Sequence, residues 1–330
     1  MDEQPPPTPG LPEGDFLPEM DGHRVWWCQC GPSDGMPVLV LHGGPGGRTR
    51  QAPFGWFGGL PVRCLAFDQR GCGQSTPSGS LQGNTLSDLL VDIERLRIRL
   101  GLDAWAIAGG SWGALLAIAY AGTHPGKVRG LYLRSAFLGS DVEVASFFAL
   151  WPEWLGQAGA AWLGAAEPAS PLAMMRRDNG APDATGISPG RLARAWQAFE
   201  QLQGRPGGVA AWRGARFEPA AGEPPPHPDN MPPGMAVQLH YLQHACFAPP
   251  AALAQWLRVI DAALATRPIA LVHGLADAVC DPEQTRTLAR RWPDARATWV
   301  EGAGHDMDWP PMRAALTHAA IDWVARLAKA

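Results

Sequence analysis

The chain has 330 residues, 46% of them hydrophobic and 18% charged, with a formal net charge of −4. That balance belongs to a globular protein with a sizeable core and excludes a disordered chain; without a dense Lys/Arg run it also gives no footing for a nucleic-acid partner. No run of about 18 apolar residues could cross a bilayer. The acidic, proline-rich start lacks the charged flank and apolar stretch of a secretory signal. Six cysteines scattered without a paired framework read as free thiols, so the expectation is a cytoplasmic chain with no membrane partner.

Residues 1–21 read as a proline-rich tail, and residues 23–30 (HRVWWCQC), ending at a Gly-Pro-Ser-Asp-Gly turn signal, as an early strand. Cys28 and Cys30 would share one face of that strand; no second ligand pair lies nearby, so packing is expected there and no metal. Residues 36–41 form a short continuous apolar run ending at glycines, the pattern of a strand buried on both faces of a parallel sheet, and 63–67 looks like its neighbour. Thr85 opens a capping box with Asp88, after which Leu86, Leu89, Leu90, Ile93, Leu96 and Leu100 recur at helical spacing. A strand at 104–108, a glycine turn, an apolar helix at 114–120 and a strand at 128–133 continue the alternation of a doubly wound sheet.

The alternation stops after residue 138. Residues 139–258 hold Trp-rich helical stretches (147–155 and 191–202) and a proline-rich loop, and read as an inserted, mainly helical cap. The α/β pattern resumes at 268–273 and 297–300 and closes with a helix over 311–328. The division is therefore a core of 22–138 and 259–330 around a cap of 139–258.

Gly109-Gly110-Ser111-Trp112-Gly113 is a Gly-x-Ser-x-Gly set between an expected buried strand and an expected buried helix. Small flanking residues there permit the strained turn that lifts a nucleophilic hydroxyl over the sheet edge. A serine hydroxyl needs a base to take its proton. Among nine histidines, His305 stands out in the small-residue loop Gly302-Ala303-Gly304-His305 after the last strand. The imidazole in turn needs a carboxylate. Asp277, one loop beyond the strand at 268–273, completes the chain order Ser, Asp, His; Asp281 competes, but it precedes a proline and looks like a helix cap. For the oxyanion, the Trp112 backbone N–H and Gly44 in His42-Gly43-Gly44-Pro45-Gly46-Gly47 are the expected donors. No metal or cofactor is called for.

HGGPGG, DQRGCGQS (68–75), DIERLRIRLGL, GGSWG, HPGKV and GAGH, in this order, resemble the motifs of the prolyl aminopeptidase (proline iminopeptidase) family of α/β-hydrolases. The likeness is close over 36–138, clear over 268–310 and thin in the cap. It implies the α/β-hydrolase fold, a mostly parallel central sheet flanked by helices with an inserted helical cap. It also implies cleavage of an amide at an N-terminal proline or a similar small apolar residue through an acyl-enzyme, with a small peptide or small-molecule acyl compound as substrate. On this resemblance Arg134, Phe137 and Cys280 match the proline pocket, and Glu200 matches one of two glutamates that bind the free amine. The second glutamate is replaced by Gln238, and a pocket aromatic by Leu242. An esterase or amidase for uncharged acyl groups would use the same catalysts without a second glutamate, and a non-catalytic binding protein on the same fold is the reading outside enzymes. Convergence of Glu200 and Gln238 on one point near Ser111 would mean that an amine or another polar group is read there. DQRG is expected to brace loops.

Overall fold

The computed structural model describes residues 10–174, 187–218 and 231–330. Residues 1–9 of the proline-rich tail and 219–230 of the proline-rich cap loop, including His227, lie outside them. Eight strands are described: β1 (Gly14–Phe16), β2 (Trp26–Cys30), β3 (Met36–Leu41), β4 (Val62–Phe67), β5 (Trp105–Gly110), β6 (Val128–Arg134), β7 (Ile269–Gly274) and β8 (Arg296–Val300). The helices are α1 (Ala52–Trp56), α2 (Leu86–Arg99), α3 (Trp112–Thr123), α4 (Asp141–Phe147), α5 (Trp151–Leu163), α6 (Pro171–Met174), α7 (Pro189–Gln203), α8 (Gly208–Trp212), α9 (Pro233–Gln243), α10 (Pro250–Ala263), α11 (Pro282–Arg291) and α12 (Pro310–Leu327).

The strands form one sheet in the order β1-β2-β4-β3-β5-β6-β7-β8. From β4 to β8 every pairing is parallel, while β1 and β2 pair antiparallel at one edge. Burial on both faces explains the unbroken apolar composition of the central strands. One face packs on α2, α3 and α10 through residues such as Leu89, Ile93, Leu115 and Ile260. The other packs on α1 and α12 through Phe54, Trp56, Leu316 and Trp323. The Thr85–Asp88 capping box that opens α2 is present as expected.

Three boundaries differ from the sequence reading. Gly14–Phe16 leaves the expected tail and pairs with Trp26–Cys28 as the edge strand β1. The expected helix at 147–155 is two pieces, since α4 ends at Phe147 and α5 starts at Trp151. The expected cap boundary at 258 falls inside α10, whose Leu253, Trp256 and Leu257 pack on the core. Here Trp256 lies so close to Gly122 of α3 that a Cβ there would meet its side chain at 2.3 Å. Helices α4 to α9 share a separate apolar cluster around Trp151, Trp196 and Phe199.

Candidate active site

Ser111 sits between β5 and α3 with φ 56° and ψ −124°, a conformation costly for a non-glycine residue. The flanking glycines make the turn possible: a Cβ on Gly109 would lie 2.2 Å from the Gly113 carbonyl oxygen, and one on Gly113 would lie 2.4 Å from that of Leu41. Asp277 follows β7 and His305 follows β8, so all three residues rise from the same C-terminal edge of the parallel sheet.

His305 Nδ1 lies 2.8 Å from Asp277 Oδ2. The other Asp277 oxygen accepts from the amides of Val279 and Cys280, both at 2.9 Å, and His273 Nε2 stands 3.5 Å from Oδ2. Ser111 Oγ lies 3.6 Å from Cys280 Sγ. His305 Nε2 is 3.4 Å from Arg134 Nη1, and Arg134 Nη2 donates to the His305 carbonyl. The Arg134 carbonyl accepts from Ser111 N at 2.9 Å. Arg134, expected against the substrate, therefore stands beside the imidazole at its Nε2 and ties the His305 loop to the serine turn. Asp281 caps α11, accepting from Glu283 N at 2.9 Å.

The glycine loop after β3 is braced by DQRG. Gln69 N donates to His42 Nε2, its side-chain amide donates to the His42 carbonyl, and its oxygen accepts from Trp112 Nε1 at 2.8 Å. Asp68 accepts from the amides of Thr49 and Gln74. Arg70 is buried in a two-point bond to Asp92 at 2.6 and 3.1 Å. The loop and the serine turn are thus fixed to each other through one glutamine.

A pocket beside Ser111 is lined by Gly44, Phe137, Leu242 and Cys280, together with Glu200 and Gln238. Gln238 Nε2 donates to Glu200 Oε1 at 2.6 Å. Each side chain sits near an anchor to the core. Just beyond the end of α7, Asp306 N, next to His305, donates to the Gly204 carbonyl at 3.0 Å. One turn along α9, Tyr241 bonds Asn84 and sets its ring edge-on to Trp112 at 4.9 Å. The lining also includes Glu143, Val144, Phe147 and Phe148 of the α4 region, which sequence reasoning missed. Ser140-Asp141-Val142-Glu143 has capping-box spacing, and Ser140 does cap α4, while Glu143 completes the box by accepting from Ser140 N and also accepts from Leu138 N. That spacing could have marked the helix start, though not its place against the serine.

The alpha/beta hydrolase fold family matches residues 36–309. A proline iminopeptidase of Xylella fastidiosa is 34% identical over 321 residues, covering 92% of this chain and 94% of that protein. Another from Neisseria gonorrhoeae is 31% identical, covering 94% and 96%. The chain belongs to the proline iminopeptidase family of α/β-hydrolases. Among solved structures, a proline iminopeptidase-related protein from Thermus thermophilus has a TM-score of 0.58 at 21% identity, covering 96% of this chain and 98% of its own. A thermophilic esterase from Thermogutta terrifontis has 0.59 at 19%, covering 96% and 99%. These two show the shared fold.

In this α/β-hydrolase three buried or partly buried carboxylates at the site behave differently. Burial alone would push Asp277 up, but His305 and His273 hold it well below the usual carboxylate range. Glu200 is raised by burial, which the Gln238 amide offsets only in part. Glu143 is raised by burial too, against its backbone and Ser140 donors. His305 is lowered, first by burial and also by Arg134, with Asp277 opposing. Its imidazole is therefore neutral at ordinary pH. Among the described residues no cluster of three His, Cys, Asp or Glu side chains is arranged to hold a metal ion, and no helix is long and apolar enough to cross a membrane.

Proposed function

We propose that the chain is a serine peptidase that releases an N-terminal proline from small peptides through an acyl-enzyme. Glu200 carries this reading: a carboxylate raised by burial, with no cationic partner among the described residues, in the same pocket as Ser111. Such a group is poorly compensated until a cation arrives, and the free amine of a peptide supplies one. Phe137, Phe147 and Leu242 offer the apolar walls that a pyrrolidine ring requires.

In this mechanism Ser111 Oγ attacks the acyl carbon while His305 Nε2 takes its proton, and Asp277 orients the imidazole through Nδ1–H and stabilises the imidazolium. His305 swings its Nε2 from Arg134 toward Ser111 as substrate enters; such bonds are often long before substrate binds. The N–H of Trp112 and that of Gly44 receive the oxyanion, and the imidazolium returns its proton to the leaving amine. Water, activated by the same imidazole, then releases proline. The helical cap, α4 to α9, closes over this site. The six free cysteines fit a reducing, cytoplasmic setting.

Gln238 favours a second reading, an esterase or amidase for uncharged acyl groups, because its amide is a dipole where a second charge would hold an ammonium more strongly. Prolyl arylamide, its N-acetyl form, other aminoacyl arylamides and simple acyl esters separate the two. A kcat/KM highest for prolyl arylamide, falling about 100-fold on N-acetylation, is expected. A preference for esters with no penalty for N-acetylation would overturn the peptidase.

A further inference from the structure

Cys30 and Cys64 are direct partners across the antiparallel pair β2 and β4. The Asp68 amide donates to the Trp26 carbonyl. In this register that makes Cys28–Ala66 and Cys30–Cys64 the hydrogen-bonded kind of pair, with Cα atoms about 5.5 Å apart. A disulfide spans Cα separations of about 4.4–6.8 Å, and this pair falls within that range.

The two thiols differ in access. Strand β1 covers β2 only as far as Cys28, which it pairs with Gly14, so Cys30 stands beyond its end and is half-buried. Cys64 is buried, as is Cys28. A hydrogen bond from the Cys64 thiol brings Cys30 down to about 7 against the effect of burial, while the same bond and burial raise Cys64. Burial, with Asp68 and Cys30 adding to it, pushes Cys28 up to about 12. An accessible thiolate beside a buried resolving thiol is the arrangement of a redox-responsive pair.

We propose that Cys30 and Cys64 are a redox modification site that closes to a disulfide across β2 and β4 when a low-molecular-weight disulfide, such as oxidised glutathione, reaches Cys30. The Cys30 thiolate attacks one sulfur of oxidised glutathione; a Cys30–glutathione bond forms, and one glutathione leaves as thiolate and takes up a proton. Cys64 then loses its proton and attacks the Cys30 sulfur. The protein disulfide forms and the second glutathione leaves, accepting that proton. Two protein thiols are oxidised and one glutathione disulfide is reduced to two thiols.

The test exposes the full chain to oxidised glutathione near neutral pH, blocks residual thiols, and reads intact mass and non-reduced peptide maps. The expected result is loss of two hydrogens, a cross-link joining Cys30 to Cys64, and reversal by dithiothreitol. Cys64→Ala should instead stop with one glutathione on Cys30, and Cys30→Ser should form neither product. In the unaltered protein, iodoacetamide should label Cys30 at least tenfold faster than Cys28. An unchanged mass, or a cross-link through Cys28 or Cys280, would overturn the proposal.

Discussion

Asp277, buried at the rim of the sheet, and Glu200, partly buried in the cap, are both carboxylates of the site, yet their charges are held in opposite ways. Asp277 accepts from two backbone amides and faces two imidazoles, so it stays ionised over the working range. Glu200 has the Gln238 amide against it, and burial raises it. A fully compensated anion can orient a partner but has little left to gain from a ligand. An under-compensated one gains most when a cation binds. On the proposed function the rim does the chemistry and the cap chooses what undergoes it.

The strongest way to break this division is to remove one side at a time. Ser111→Ala should lower kcat by about 10⁴-fold or more while leaving the affinity for a prolyl amine ligand unchanged, measured by steady-state kinetics and by calorimetry. A loss of binding of similar size would mean that rim and cap are not separable. Glu200→Gln should reduce kcat/KM for free-amine substrates by about 100-fold, near 3 kcal/mol for an ammonium left without its charge partner, and leave simple acyl esters within about twofold. An equal loss on esters would show that Glu200 supports the cap and does not read an amine.

The same division decides what could be read from the sequence. The rim was legible because backbone geometry imposes it: the Ser111 turn demands glycine at 109 and 113, and strand-end loops deliver Asp277 and His305 in a fixed chain order. Asp281 was correctly set aside as a helix cap by its proline. The cap was legible only where a resemblance pointed, at Glu200 and Gln238. Glu143, Phe147 and Phe148 line the pocket from α4 and the residue after it, a placement that no local spacing encodes. Arg134 shows the remaining difficulty. A cation on the last residue of β6 is visible in the sequence, but whether it faces substrate or the imidazole depends on the neighbouring loop after β8.

That position makes Arg134 a probe of the rim. Activity needs neutral His305 and falls as pH drops through its pKa, which burial and Arg134 both lower. The acid limb of kcat/KM should therefore lie below about pH 6.5, the ordinary histidine value. Arg134→Met removes the cation, so His305 should titrate higher and the limb should move to higher pH. Arg134→Lys keeps the charge and should hold the limb near its original place, though it loses the fork that reaches both the His305 carbonyl and its Nε2. A limb unmoved in Arg134→Met, with only a uniform loss of kcat, would mean that the arginine acts by packing.

The smallest effect sharpens the cap. Gln238→Glu places a second carboxylate where the amide now donates to Glu200 at 2.6 Å. Two carboxyls this close share a proton at low pH, because ionising both costs too much. Under those conditions the protonated partner donates to Glu200 much as the glutamine does, and kcat/KM for a prolyl substrate should match the unaltered protein. Only above the raised pKa of the pair does the second charge appear, and there the free-amine substrate should gain a few-fold while esters do not. A gain confined to the alkaline side and to amine substrates would assign amine recognition to the Glu200–Gln238 pair, and would show that the glutamine sets its strength without abolishing it. A gain at all pH values, or on esters as well, would trace instead to a change in pocket shape.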